Sequence, residues 1–178
     1  MTNSPPVIEL QVSRVEQLFH TLDPQPFRER DLDSDAEEFI VGWARELPVG
    51  PLRISVRMPA SETQGEKACL VSPAIRQYFA HRAVAASAEL RELLRTGRFT
   101  LVIGLTVLAA STLLGSFVSS LIPGPLGQFI QEGLVILGWV ANWRPIEIYL
   151  YDWWPIVRRR RLFDRLSVAE VILVGISS

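Results

Sequence analysis

Arg144 and Glu147 are the residues whose types and spacing most suggest chemistry. They stand three apart in an otherwise apolar stretch, so on a helix they share one face, and Tyr151 extends it. Asn142 and Glu132 are further polar groups of the same stretch. Ionisable groups inside an apolar span are costly and often mark an ion or proton path. The structural reading is equally concrete: Arg144 pairs with Glu147 and reaches lipid headgroups from about one turn inside the boundary. Pro145 also frees a backbone carbonyl for that arginine or for water. Glu132 then reads as an interfacial acid, favoured by the dipole of its helix. We expect the anchoring role for this group.

Two other patterns concern binding rather than catalysis. Arg158, Arg159, Arg160 and Arg161 run consecutively, and Arg91, Arg95 and Arg98 precede a long apolar run. Each basic residue near an anionic membrane surface contributes ~1 kcal/mol of attraction. The same residues act as topology signals, and the two roles are compatible. Ser111, Gly115 and Ser119 are spaced by four, as are Thr112, Ser116 and Ser120. Small residues at this interval let helices approach closely. The partner is either the second apolar helix of this chain or another protein, and both readings stand.

Other signals are weaker. Asp31, Asp33 and Asp35 alternate like the first ligands of a calcium loop, but Ala36 and Gly42 stand where that loop needs Gly and Glu. Acids at a helix start are the better reading. His20 and His81 have no partner at metal-ligand spacing, and neither a glycine-rich phosphate loop nor a nucleophile elbow occurs. Cys69 is the single cysteine, so no internal disulfide forms. No catalytic, cofactor-binding or metal-ligating residue is assigned, no cofactor is expected, and any small-molecule ligand is left open.

The elements that carry these residues follow from hydropathy. The chain has 178 residues, 48% of them hydrophobic, and a mean hydropathy of +0.22. From Phe99 to Gln131, 33 positions pass without a charge. A plain soluble globule, a disordered chain and a fibrous repeat are excluded. Phe99–Ile122 holds 24 residues, ~36 Å as a helix, enough for a ~30 Å hydrocarbon core. The segment Ile122-Pro123-Gly124-Pro125-Leu126-Gly127 stops one helix and starts another. A second span is expected from Gln128 past Arg144 to about Ile148, 21 residues and ~31 Å. Trp139, Trp143, Tyr149, Tyr151, Trp153 and Trp154 form an aromatic belt at its end.

Before the spans, Val7–Val12 reads as a strand. Ser13 with Glu16 reads as a capping box opening a helix with an apolar stripe of Val15, Leu18, Phe19 and Leu22. Ser34 with Glu37 opens a second helix, whose expected buried face is Phe39, Ile40, Trp43 and Leu47. Leu52–Met58 alternates as a half-buried strand, 59–70 reads as a loop, and Ser72-Pro73 starts a helix that can run into the membrane. After the spans come a surface helix, Arg158–Leu166, and a strand-like Val168–Val174.

Charge orients the chain. Residues 1–90 carry a net −4, 91–98 a net +2, and 99–178 a net +1. The acidic domain argues against a nucleic-acid partner. Basic residues flank both spans and the connecting loop has none, which places both termini in the cytoplasm. The N-terminal residues have no basic and apolar regions of a signal peptide, so the first span is expected to direct insertion. Arginine supplies 17 of 18 basic residues, a hint of a GC-rich bacterial genome.

Asn142-Trp143-Arg144-Pro145-Ile146-Glu147-Ile148-Tyr149-Leu150-Tyr151-Asp152-Trp153-Trp154-Pro155 is a distinctive motif. With Leu94-Arg95-Thr96-Gly97-Arg98 and Asp23-Pro24-Gln25-Pro26-Phe27, it resembles a family of small, uncharacterised bacterial inner-membrane proteins with two spans. The resemblance covers most of the chain, implies bacterial origin and inner-membrane location, and carries over no catalytic residue.

The expected fold is a membrane α-helical hairpin of two transmembrane helices plus a small cytoplasmic α/β domain of about three strands, completed by the C-terminal strand. The expected divisions are 1–98, 99–122, 123–127, 128–150 and 151–178. The expected function is a non-catalytic scaffold, adaptor or accessory subunit at the bacterial inner membrane. It would contact anionic lipid and assemble as a homo-oligomer or within a larger complex. The alternatives are an ion- or proton-conducting oligomer using Glu132, Arg144 and Glu147, and a membrane-bound enzyme.

Overall fold

The computed structural model describes residues 5–19, 31–63 and 68–176. The chain forms two compact units. One comprises the described residues up to Ala86 together with those from Arg158 onward; the other is Ser87–Val157.

The first unit is built on three parallel strands in the order β1 (Val7–Gln11), β2 (Arg53–Pro59), β3 (Glu170–Ile176). Alternation sets the register. Ile8 lies beside Ile54 and Leu10 beside Val56; on the other flank Ile54 meets Val171 and Val56 meets Leu173. Glu9, Arg53, Arg57 and Glu170 take the opposite face and pair across strands, Arg53 with Glu170 at 2.7 Å and Arg57 with Glu9 at 2.9 Å. Parallel strands need long crossovers. The one from β1 to β2 contains α1 (Ser34–Glu46), and the one from β2 to β3 opens with α2 (Ala60–Thr63) and α3 (Ala68–Leu121) and closes with α6 (Trp153–Ser167). The whole second unit is therefore inserted in one crossover. Ile40 and Val41 of α1, Ile75 and Phe79 of α3, and Leu162, Phe163 and Leu166 of α6 cover the apolar face of the sheet as one core.

Several expectations for this unit are corrected. Val15–Leu18 is a single 3-10 turn rather than a helix. Its cap comes from Gln17, whose Oε1 accepts the N–H groups of Ser13 and Arg14, and not from Glu16. Leu22 and His20 lie outside the described residues, as does 23–27. Asp33 caps α1 by accepting the Asp35 N–H at 3.1 Å; Glu37 turns elsewhere. The buried face of α1 is Ile40, Val41 and Ala44, while Phe39 and Trp43 stay 43% and 50% exposed. The small Ala44 permits close approach that an indole at that place would block. The expected loop 59–70 instead holds α2 and the start of α3, with Pro73 inside that helix. The expected surface helix 158–166 is half core, because Leu162, Phe163 and Leu166 share one face.

The second unit is a helical hairpin. α3 ends at Leu121, Gly124 takes φ +122°, and Pro125 begins α4 (Pro125–Ala141) at the first helical position, where its missing N–H has no partner to lose. Among the described residues, α3 alone is long and apolar enough to cross a membrane. The expected second span is not one helix. α4 has 17 residues, ~25 Å, and ends at Asn142 before α5 (Trp143–Glu147), a π-helical turn (Ile148–Asp152) and α6. Pro145 explains the break: it cannot donate to the Ala141 carbonyl, and it sits acceptably in the first turn of a new helix.

Candidate functional site

The second unit has its polarity reversed. Phe99, Val102, Leu113, Phe117, Phe129 and Leu137 are all more than half exposed. Only 17% of the most apolar stretch of α3 is buried. What the two helices bury against each other is small or polar. A Cβ on Gly104 would stand 2.7 Å from the Asn142 Oδ1, one on Gly138 would stand 2.8 Å from Leu108 Cδ1, and one on Gly115 would stand 3.1 Å from Gln131 Cγ. Gly127 lies against the Ile122 carbonyl and the Ser119 backbone. Gly97, Gly104 and Ser111 recur at intervals of seven, the period of a helical seam.

Ser111, Gly115 and Ser119 thus face α4 of the same chain. Thr112, Ser116 and Ser120, one residue further on, face outward and donate to carbonyls of their own helix, at 2.8, 3.0 and 2.7 Å. Their hydroxyls are satisfied without a partner helix.

Asn142 is 5% exposed, and its Nδ2 donates to the carbonyls of Gly104 at 3.0 Å and Gly138 at 2.9 Å. It latches α3 to α4 where the second helix breaks. Arg144 is exposed and donates to Glu147 and Asp152, both at 3.2 Å. The π-helical turn contributes Asp152 to this pairing, a partner that sequence spacing did not suggest. Glu132 is exposed on α4. Trp139, Trp143, Tyr151 and Trp154 are each more than half exposed, and the Trp153 indole donates to the Tyr149 carbonyl at 2.9 Å.

Arg91, Arg95 and Arg98 line an open groove of about 560 Å³ with Glu92 and Tyr149. In α6, Arg158, Arg160 and Arg161 are exposed and Arg159 is half-buried. Arg160 reaches Asp164 at 3.6 Å.

The first unit holds a polar clamp that the sequence reading missed. The Tyr78 hydroxyl donates to Glu37 Oε2 at 2.6 Å, and Arg82 donates to Glu37 Oε1 at 2.7–2.9 Å. The Arg82 guanidinium lies 5.3 Å from the centre of the Phe163 ring, which stacks on Phe79. Burial, and then the hydrogen bond to Glu37, push the Tyr78 phenol well above its ordinary value. The clamp ties α1, α3 and α6 together. The available signal is Tyr78 and Arg82 at a spacing of four, while the spacing of Glu37 from Ser34 fits a cap equally well. No three of the described His, Cys, Asp and Glu residues gather as a metal site.

No family model matches the chain, and neither a curated protein nor a solved structure matches it.

Proposed function

We propose that the protein is a non-catalytic scaffold or adaptor of the bacterial inner membrane. In this reading its α3–α4 hairpin enters the bilayer, and the α/β unit is held at the cytoplasmic surface. The observation that carries this reading is the reversed polarity of the hairpin. A protein in water does not leave this much contiguous apolar surface uncovered, whereas helices in lipid pack through small residues and turn large ones outward.

Chain connectivity supports the topology. β1 and β2 precede the hairpin, β3 follows it, and all three share one sheet. The insertion must therefore leave and return on the same side, which agrees with both termini being cytoplasmic and with the arginines on both flanks. The second pass is then α4 with the aromatic turns after Asn142, rather than one uninterrupted helix. The pairing of Arg144 with Glu147 and Asp152 supports an anchoring role over an ion path. The outward strip Thr112, Ser116 and Ser120 supports association with a second copy or another membrane protein.

Two measurements test the reading. Membranes washed with alkaline carbonate should retain the full-length protein until detergent is added. Reporter fusions at both ends should report the cytoplasm. Recovery of the intact chain in the soluble fraction, or ends in opposite compartments, would overturn it.

A further inference from the structure

The arginine groove has features that a general basic collar does not need. Arg91, Arg95 and Arg98 stand at i, i+4 and i+7 of α3, so their side chains leave one face of the helix within ~10 Å. Among the described residues, none of the three is held in an ion pair. Against them the groove carries one carboxylate, Glu92, so its lining bears a formal net of two positive charges.

Its far wall is Tyr149, which comes from the π-helical turn. Such turns recur at functional sites because they re-aim a side chain. Gly97 seats the wall: a Cβ there would stand 2.8 Å from Ile148 Cγ2 and 3.4 Å from Tyr149 Cζ. Gly97 is thus the residue that lets the tyrosine ring close the groove beside the arginines. Arg98 directly precedes Phe99, the first residue of the uncharged apolar run.

We propose that this groove binds a phosphate group carrying two negative charges, presented on a lipid headgroup. The planar guanidinium offers two parallel donors that match phosphate oxygens. Three such forks on one face can share the oxygens of one phosphate, and a dianion balances the net charge of the lining. Tyr149 adds a hydroxyl donor at the wall. The lipid source rests on the membrane reading above, because it puts Arg98 at headgroup level; a soluble phosphate ester offers the same chemistry.

The test uses the full-length protein in a neutral maltoside detergent, mixed with equal amounts of phosphatidic acid and phosphatidylglycerol, with native mass spectrometry reporting the lipid retained. The wild type should retain phosphatidic acid in clear preference. Arg95→Gln with Arg98→Gln should lower that retention about tenfold or more, at ~1 kcal/mol for each basic residue. Arg95→Lys with Arg98→Lys keeps the charge and removes the forks, and it should lose most of the preference. Arg45→Gln, at an exposed arginine of α1 outside the groove, should leave it intact.

Inorganic phosphate forms the second arm. If it binds with the same dependence on Arg95 and Arg98 and lipid shows no preference, the groove takes a soluble phosphate. Equal retention of both lipids by wild type and variants, with no phosphate binding, overturns the proposal. That result in a protein still requiring detergent leaves the membrane reading standing; a protein that stays dispersed without detergent brings down the membrane reading, whichever phosphate it binds.

Discussion

One helix follows opposite rules in its two halves. In the first unit α3 buries Ile75, Phe79, Ala83 and Ala86 and leaves Arg76 and Arg82 outside. In the second unit it buries Gly97, Gly104, Ser111 and Gly115 and leaves Phe99, Leu113 and Phe117 outside. The first half is ordered by the removal of apolar area from water. The second half gains nothing from that, since its large side chains stay exposed; its helices are held by close backbone approach and the Asn142 latch. The difference teaches that the surroundings, and not helix propensity, decide which face of α3 packs.

Substitutions should separate the two rules. The largest effect belongs to the first unit: Phe79→Ala removes a fully buried ring stacked on Phe163 and should cost ~3–5 kcal/mol. It should be read by denaturant unfolding of the full-length protein in detergent. Phe129→Ala, at a ring 74% exposed, should change unfolding by less than ~0.5 kcal/mol in the same assay. Comparable losses at both positions would erase the distinction.

Gly104→Leu reverses the usual logic, because adding apolar bulk should harm the second unit. It drives a side chain into Asn142 and the Ala141 carbonyl, and should cost ~1–3 kcal/mol. Asn142→Ala leaves the Gly104 and Gly138 carbonyls without the donor they now share, at ~1–3 kcal/mol. Hydrogen exchange of the α3 and α4 backbone amides, read by mass spectrometry, should speed up for both variants, while exchange in the α/β unit stays unchanged.

A smaller loss than that at Phe79 concerns the clamp. Tyr78 is held protonated in the folded state by burial and by Glu37. Its contribution to stability is therefore complete below the ordinary phenol pKa, ~10, and is lost as pH rises beyond it, where the unfolded chain ionises first. Tyr78→Phe should cost ~1 kcal/mol at neutral pH and flatten the alkaline fall. An unchanged alkaline profile would remove Tyr78 from the account.

What could be read from the sequence follows the same divide. The alternation Leu52, Ile54, Val56, Met58 declares a strand, and the apolar run Val171–Val174 pairs beside it as β3. The turn at Gly124 was announced by two prolines and two glycines. The buried face of α1 is half legible: Ile40 is buried and Leu47 packs against the core as expected, but 39 and 43 extend that stripe as well as 41 and 44 do, and only the tertiary partner chooses between them. Glu37 fits a cap by spacing, yet its carboxylate is satisfied better by Tyr78 and Arg82, far along the chain. The break at Asn142 could have been read from Pro145, three residues on; hydropathy concealed it, since apolar content continues across a broken backbone.

The most direct test of the central claim is the environment of the outward apolar face. Spin labels would be placed at Leu113 and Phe129, and at Glu38 on α1, in full-length protein carrying Cys69→Ser and reconstituted in vesicles of phosphatidylcholine and phosphatidylglycerol. The labels at Leu113 and Phe129 should collide readily with oxygen and be shielded from a water-soluble nickel chelate, with Glu38 showing the reverse. Free access of the nickel chelate to Leu113 and Phe129 would put the hairpin in water and contradict the account.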